Sequence, residues 1–256
     1  MIENVRAFFE NDGPTAEIVL ATPVVRPGEE LRGCVRVQGC AKEVLIGRVG
    51  VGAGVSGPQE PRYEGTDQKV DSWGFGVGHV YVGQDVWLPA NQPLDIPFTL
   101  TLPWTTPFTA VGDAVLPITA GLGTELMVHD ARDPSTYHPV VIQPLPSQNR
   151  VLDAFAQLGT AFFTGDKLRA PVAGVPDLVP MLEFTPPLRY PQFIEVGVGF
   201  VADPWHLRVI LTAKKYRSWL QPDSVVIGDF YMRHEAVWQV DWAAAIEHCL
   251  AAHAVR

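Results

Sequence analysis

The stretch Thr22–Gly39, TPVVRPGEELRGCVRVQG, constrains the fold more than any other part of the chain. A turn written in Pro27-Gly28-Glu29-Glu30 runs straight into a segment where Leu31, Val35 and Val37 are interleaved with Arg32, Cys34, Arg36 and Gln38. That period of two belongs to a strand with one face buried and the other in water. The unit recurs in Leu88–Leu102, where a polar turn feeds Ile96, Phe98, Leu100 and Leu102 with Thr99 and Thr101 between them. A chain that repeats such strands packs sheet on sheet, and the strands themselves carry no chemistry.

Composition agrees with many short strands joined by turns. Among 256 residues there are 23 glycines and 23 prolines, and charged residues make up only 18%, against a usual share of about 25%. A hydrophobic content of 47% is ample for packed cores and argues against disorder over most of the chain. Domains commonly run to about 100–150 residues, so the length suits two.

The net charge of −9 arises from 28 acidic and 19 basic residues spread thinly. Phosphate backbones require a basic stripe, so nucleic acid is not an expected partner. Lys214-Lys215-Tyr216-Arg217 is the one basic cluster, and it reads as a solvated strand end. The start, MIENVRAFFENDG, lacks the basic and apolar regions of a secretory signal. No stretch reaches the roughly 18 apolar residues of a membrane span, although Phe8 and Phe9 could touch a surface. A cytoplasmic protein is the expectation. Cys34, Cys40 and Cys249 fit neither zinc nor redox spacing and read as buried reduced thiols.

Strands are expected at Glu17–Val25, Leu31–Val37, Val44–Ala53, Lys69–Val82, Leu94–Leu102, Val115–Ala120, Leu126–His129 and Val140–Gln143, an antiparallel sandwich by spacing. Ser147–Gly159 then changes to helical spacing, with Val151, Leu152, Phe155 and Leu158 on one face, Ser147 as cap and Gly159 as stop. Further strands follow at Met181–Thr185, Phe193–Val201, His206–Ala213 and Phe230–Val240, with a hairpin turn at Asp203-Pro204. A last helix, Asp241–Ala252, opens on an Asp cap. The expected division is an N-terminal β-sandwich over 1–146, a connecting helix over 147–160, and a C-terminal β-sandwich with a closing helix over 161–256. The connecting helix could serve equally as a rigid spacer or as a loose linker.

No residue set demands catalysis, a metal or a cofactor. His129-Asp130-Ala131-Arg132-Asp133, with His138 nearby, invites a metal reading, but a turn before Pro134 lacks the helix that brings ligands onto one face. Asp130 and Asp133 read as Asx-turn residues, with a weak calcium site as the alternative. His234 and Glu235, in an expected strand, would face opposite sides, while His248 and His253 are off ligating spacing and expected in solvent. There is no G-x-S-x-G elbow. Gly50–Gly57 contains G-x-G without a following helix, which points to a bulged or closely approached strand.

Aromatic residues offer the binding candidates. Trp73, Phe75, Tyr81 and Trp87 could form a sugar-stacking platform, with core packing as the competing reading. Trp104 and Phe108 in the loop WTTPF are candidates for an exposed partner anchor.

Six pieces in order carry a further signal: Pro27–Val37, Ile96–Pro107, Leu116–Ser135, Val140–Gly159, Leu182–Pro187 and Asp241–His253. Together they resemble the bacterial sporulation-control protein family, whose members have an arrestin-like pair of β-sandwich domains. The chain departs from that pattern at Asn91, where Gly is favoured, and at Tyr137 and His138, where a more acidic stretch is usual. Thr212–Tyr216 is likewise less acidic. An all-β, arrestin-like tandem sandwich with two short helices is therefore expected. The resemblance implies a non-enzymatic regulator or scaffold acting on protein partners, cytoskeletal or cell-division proteins among them, with no catalytic residues to carry over. Trp104, Phe108, Asp130, Asp133, Tyr137 and His138 are the interaction candidates under this reading. Trp73, Tyr81 and Trp87 belong to the alternative, a small-ligand or carbohydrate-binding sandwich.

Overall fold

The computed structural model describes residues 13–56, 75–128, 131–132, 137–168, 179–218 and 221–254. The chain divides into two compact units, Met1–Thr106 with Thr119–Ile142, and Pro107–Ile118 with Gln143–Arg256. Residues 107–118 and the helix after 145 thus cluster with the second unit, whereas the sequence assigned 107–118 to the first half and made the helix a connector.

In the first unit, β1 (Thr15–Leu20), β3 (Glu30–Gln38) and β6 (Pro93–Thr101) form an antiparallel sheet in the order β1-β3-β6. The alternation read from the sequence sets its two faces. Ala16, Ile18, Leu31, Val35, Val37, Ile96, Phe98 and Leu100 are buried, each large side chain contributing about 2 kcal/mol of burial. Outward, Arg36 donates two hydrogen bonds to Asp95 at 2.8 and 2.9 Å and lies 3.7 Å from Glu17. The turn before β3 is set by Gly28 at φ +80°, with the Glu29 N–H donating to the Arg26 carbonyl at 3.0 Å. Pro27 then Gly28 at the two central positions is what a type II turn requires.

The second sheet of this unit runs β2 (Val24–Val25), β11 (Tyr137–Ile142), β9 (Thr119–Val128), β4 (Val44–Ser56), β5 (Phe75–Leu88), with β10 (Ala131–Arg132) on β9. Its core side carries Val49, Val51, Leu122 and Leu126. Two short strands expected near 115–129 are instead one long β9, because Ala120, Leu122 and Leu126 pair along β4 without a break. As expected of the glycine run, the β4–β5 register shifts at Val49/Gly50 and at Ala53/Gly54. Asn91 adopts φ +55°, the left-handed conformation its side chain tolerates in place of Gly.

In the second unit, β12 (Phe162–Leu168), β13 (Val179–Phe184), β14 (Phe193–Ala202), β15 (His206–Ser218) and β16 (Gln221–Arg233) form an antiparallel meander in chain order. The strand expected at Phe230–Val240 begins nine residues earlier and ends at Arg233, where a 3-10 helix, His234–Gln239, takes over. Pairing with β15 from Gln221 onward overrides the turn-like Pro222-Asp223. His234 and Glu235 consequently sit in a helical turn, not on opposite faces of a strand.

Helix α1 (Pro146–Gln157) and helix α2 (Trp242–Ala254) pack on one face of this sheet, and a separate short ribbon pairs β7 (Ala110–Val111) with β8 (Ala114–Val115). Phe155 of α1 stacks on Phe184 at 4.4 Å, Trp242 of α2 meets Phe230 at 5.3 Å, and Phe108 meets Phe200 at 6.2 Å. Gly228 makes room for α2, since a Cβ there would stand 3.0 Å from the Cys249 Sγ. Among the described residues, then, helices supply a layer against the sheet. The cap of α1 is not Ser147. Pro146 opens the helix and the Gln148 side chain accepts the Leu145 N–H at 2.8 Å. Gly159, at φ +71°, ends it as expected, and Asp241 caps α2 by accepting the Ala244 N–H at 3.1 Å.

The three thiols are free, Cys249 buried and the other two half-buried, and burial pushes the Cys249 thiol above its ordinary value. His248 is exposed, but His253 is half-buried, with its Nδ1 2.9 Å from the Cys249 carbonyl at the end of α2.

Candidate interaction surfaces

The loop after β6 does not present its aromatics. Phe108 is only 8% exposed and belongs to the core of the second unit. Trp104 is half-buried and lies flat over Gly28, where any Cβ would strike the indole. The expectation of an exposed anchor at Phe108 is therefore corrected: one strand's length after Leu100, an apolar ring was claimed by a neighbouring aromatic core. Asp130, Asp133 and Trp73 lie outside the described residues. Tyr137 and His138 begin β11, paired with Gly123 and Leu122, and His138 is half-buried.

Tyr81 and Trp87 of β5 are exposed, Trp87 by 62%. Tyr81 sits in a small polar cluster built across β5, β4 and β9. Its register partner is Gly50, and Gly50 also pairs with Glu125. Without a side chain at Gly50, the His79 ring can lie across β4; a Cβ there would stand 2.8 Å from its Nε2. His79 packs edge-on against Tyr81 at 4.5 Å, and its Nε2 is 3.5 Å from a Glu125 carboxylate oxygen. On Tyr81, the Arg48 guanidinium rests 4.7 Å from the ring centre. Arg48, Tyr81, Val82, Gly83 and Gln84 line an open cleft of about 470 Å³. With Arg48 on its ring, Tyr81 is not a bare stacking platform.

A second surface, missed from sequence, occupies one end of the sheet in the second unit. The Asp203 carboxylate accepts the N–H groups of Trp205 and His206, both at 2.7 Å, which closes the turn between β14 and β15. Those hydrogen bonds, the Trp205 N–H first, hold the carboxyl below its ordinary range. The turn leaves the Trp205 ring 69% exposed. Beside it, His206 stacks on Tyr231 at 4.9 Å. Arg208 grips Asp229 with two bonds of 2.8 and 2.7 Å, which lowers the pKa of that carboxyl as well. The Trp205 carbonyl accepts the His234 N–H at the start of the 3-10 helix, and that helix carries Trp238. Tyr231 and Trp238 are both more than half exposed. The sequence held a signal for Trp205, because a residue inside a four-residue Asp-Pro turn has little to pack against. For Tyr231 and Trp238 it held none, since both depend on where β16 ends.

One contact in this region has the composition of a catalytic pair. His234 Nε2 is 2.9 Å from the Asp203 carbonyl, which can only accept, so Nε2 carries a proton, and Nδ1 shares a hydrogen bond of 2.8 Å with the Ser147 hydroxyl. Ser147 is 3% exposed in the first turn of α1, closed to a substrate. The contact ties α1, the 3-10 helix and the β14–β15 turn together.

Similarity to known proteins follows these features. A solved structure, that of the sporulation control protein Spo0M from Bacillus subtilis, superposes with a TM-score of 0.72 at 19% identity, over 93% of this chain and 98% of that one. The likeness establishes the arrestin-like, mostly β fold. No curated protein matches the chain. A family model described as SpoOM protein matches residues 3–217, and this chain belongs to the Spo0M family.

Proposed function

We propose that this protein is a non-enzymatic regulator in bacterial sporulation control, and that it works in the cytoplasm by holding a partner protein. The observation that carries the binding part is the exposed Trp205, Tyr231 and Trp238 surface, fixed on a hydrogen-bonded turn and a sheet end. Large aromatic rings with an arginine beside them are the residues that dominate binding energy at protein interfaces. The backbone of the Asp203 turn is fixed by hydrogen bonds and the Tyr231 ring is stacked on His206, which reduces the ordering cost of association. The regulatory part follows from membership of the family and from the similarity to the sporulation control protein of Bacillus subtilis. Partners among cell-division or cytoskeletal proteins fit a developmental regulator. No described helix is long and apolar enough to cross a membrane.

In-cell crosslinking from a photoreactive residue at position 238, read by mass spectrometry during sporulation, tests the reading. The expected result is a small set of protein adducts that disappears with the pair W205A and Y231A, together with an altered spore count. Recovery of no protein adduct, or a normal spore count after deletion of the gene, sinks it.

A further inference from the structure

We infer that the cleft beside Arg48 and Tyr81 is a docking site for an acidic segment of a partner protein, with Arg48 receiving a carboxylate from that segment. The inference rests on the partner-binding reading and adds a second contact of defined chemistry.

Arg48 is set apart by its charge and its ring contact together. Acidic residues outnumber basic ones in this chain, 28 to 19. Arg26, Arg32, Arg36, Arg189 and Arg208 each hold a carboxylate of the chain itself. Arg48, Arg150 and Arg233 hold none among the described residues, and of these three it is Arg48 that lies over an aromatic ring, that of Tyr81. Stacking on a ring occupies the flat face of a guanidinium and leaves its edge of N–H donors outward, the geometry that grips a carboxylate with two bonds.

The strand geometry builds the rest. Between Tyr81↔Gly50 and Gly83↔Val49 the register slips by one, so Val82 is an extra residue on β5. A bulge re-aims side chains and breaks the ladder beside it. Here it opens the cleft that Arg48 and Gln84, register partners of one another, line from two strands. Gln84 offers an amide donor next to the guanidinium. Tyr81 is braced from the other side by His79, itself beside Glu125. The platform under Arg48 is thus fixed before a ligand arrives.

The surrounding edges point the same way. β6, the edge of the three-stranded sheet, carries Pro93 and Pro97, which remove donors and close it to added strands. β5 is the last strand on its side of the other sheet, contains no proline or lysine, and is exposed or half-buried from Gly76 to Trp87. Its bulges and the left-handed Asp85 prevent a long strand from adding along it. What remains is a short contact centred on the cleft.

The test is fluorescence anisotropy of the full chain with a fluorescein-labelled nonapeptide alternating glutamate and valine, alongside its glutamine counterpart. Binding of the glutamate peptide is expected to weaken at least tenfold in R48Q and about threefold in Q84A, with R48K between wild type and R48Q. Unchanged thermal melting of these exposed variants separates the effect from misfolding. Equal binding of the glutamine peptide, or R48Q binding as wild type, overturns the inference. So does displacement of the peptide by equimolar inorganic phosphate, which would make this a free-anion site. Loss of self-association in R48Q, seen by sedimentation, would replace the partner with a second copy and overturns it too. Failure here with intact adducts from position 238 leaves the proposed function standing; lost adducts with intact peptide binding do the reverse.

Discussion

Pro103-Trp104 and Pro204-Trp205 are the same dipeptide following two strands of similar length, yet one indole lies against the protein and the other projects into solvent. The difference is a glycine and a carboxylate. Trp104 finds Gly28, whose missing Cβ and left-handed backbone leave a flat seat for a ring. Its loop continues into Phe108, which the second unit's core takes up. Trp205 instead follows Asp203, which reverses the chain within four residues and gives the ring no surface to lie on. Exposure of an aromatic is thus a property of what the fold brings opposite it, and the exposed member of the pair is the better binding residue.

Removing Phe108 should break the buried side of the comparison hardest. Phe108→Ala is expected to cost about 3 kcal/mol, the usual loss for a large ring deleted from a core, measured as a shift in the urea midpoint. If Phe108 were a surface anchor, the change would stay within about 0.5 kcal/mol. Gly28→Val comes next, at about 2 kcal/mol, because it strains the left-handed turn and drives a side chain into the Trp104 seat. A blue-shifted tryptophan emission moving red in this variant would report the displaced indole.

Acid separates the two sites more gently. The Asp203 carboxyl is held below its ordinary value in the folded chain, so its stabilising effect is complete above the unfolded value of about 3.9 and fades as pH falls through the folded one. The advantage of wild type over D203N in urea midpoint should therefore be constant near neutral pH and shrink below about pH 4. The Trp104 loop is closed by the Thr106 N–H and hydroxyl, both donating to the Pro103 carbonyl, with no titrating group. T106V should change stability by an amount independent of pH. An advantage of wild type over D203N that persists at pH 3 would remove the carboxylate from the account of the turn. The smallest stability effect belongs to Trp205→Ala, within about 0.5 kcal/mol by thermal melting. A larger loss would place that ring in a core and end its role as a contact.

Much of the fold was legible because local chemistry repeated it. The Pro27-Gly28 turn, the alternation along β3 and β6, the stop at Gly159, the Asp241 cap and the Asp203 turn all follow from side chains acting within a few residues of themselves. The glycine run in β4 showed as a bulge for the same reason. The candidate surfaces were half legible: Tyr81 and Trp87 stood out, whereas Arg48, Trp205, Tyr231 and Trp238 did not. Arg48 gains its meaning from Tyr81 across a slipped register, and Tyr231 from His206 across a hairpin.

By itself the sequence determined an all-β chain with two helices, ordered as in one family, since periodicity, turn residues and caps act locally and need no partner. Only the tertiary structure decided that residues 107–118 and α1 belong with the second unit. It also decided which rings are buried and that Arg48, among the described residues, rests on a ring and holds no carboxylate. Those outcomes depend on pairs far apart in the chain, whose meeting is set by sheet register and by the space that residues such as Gly28, Gly50 and Gly228 leave open.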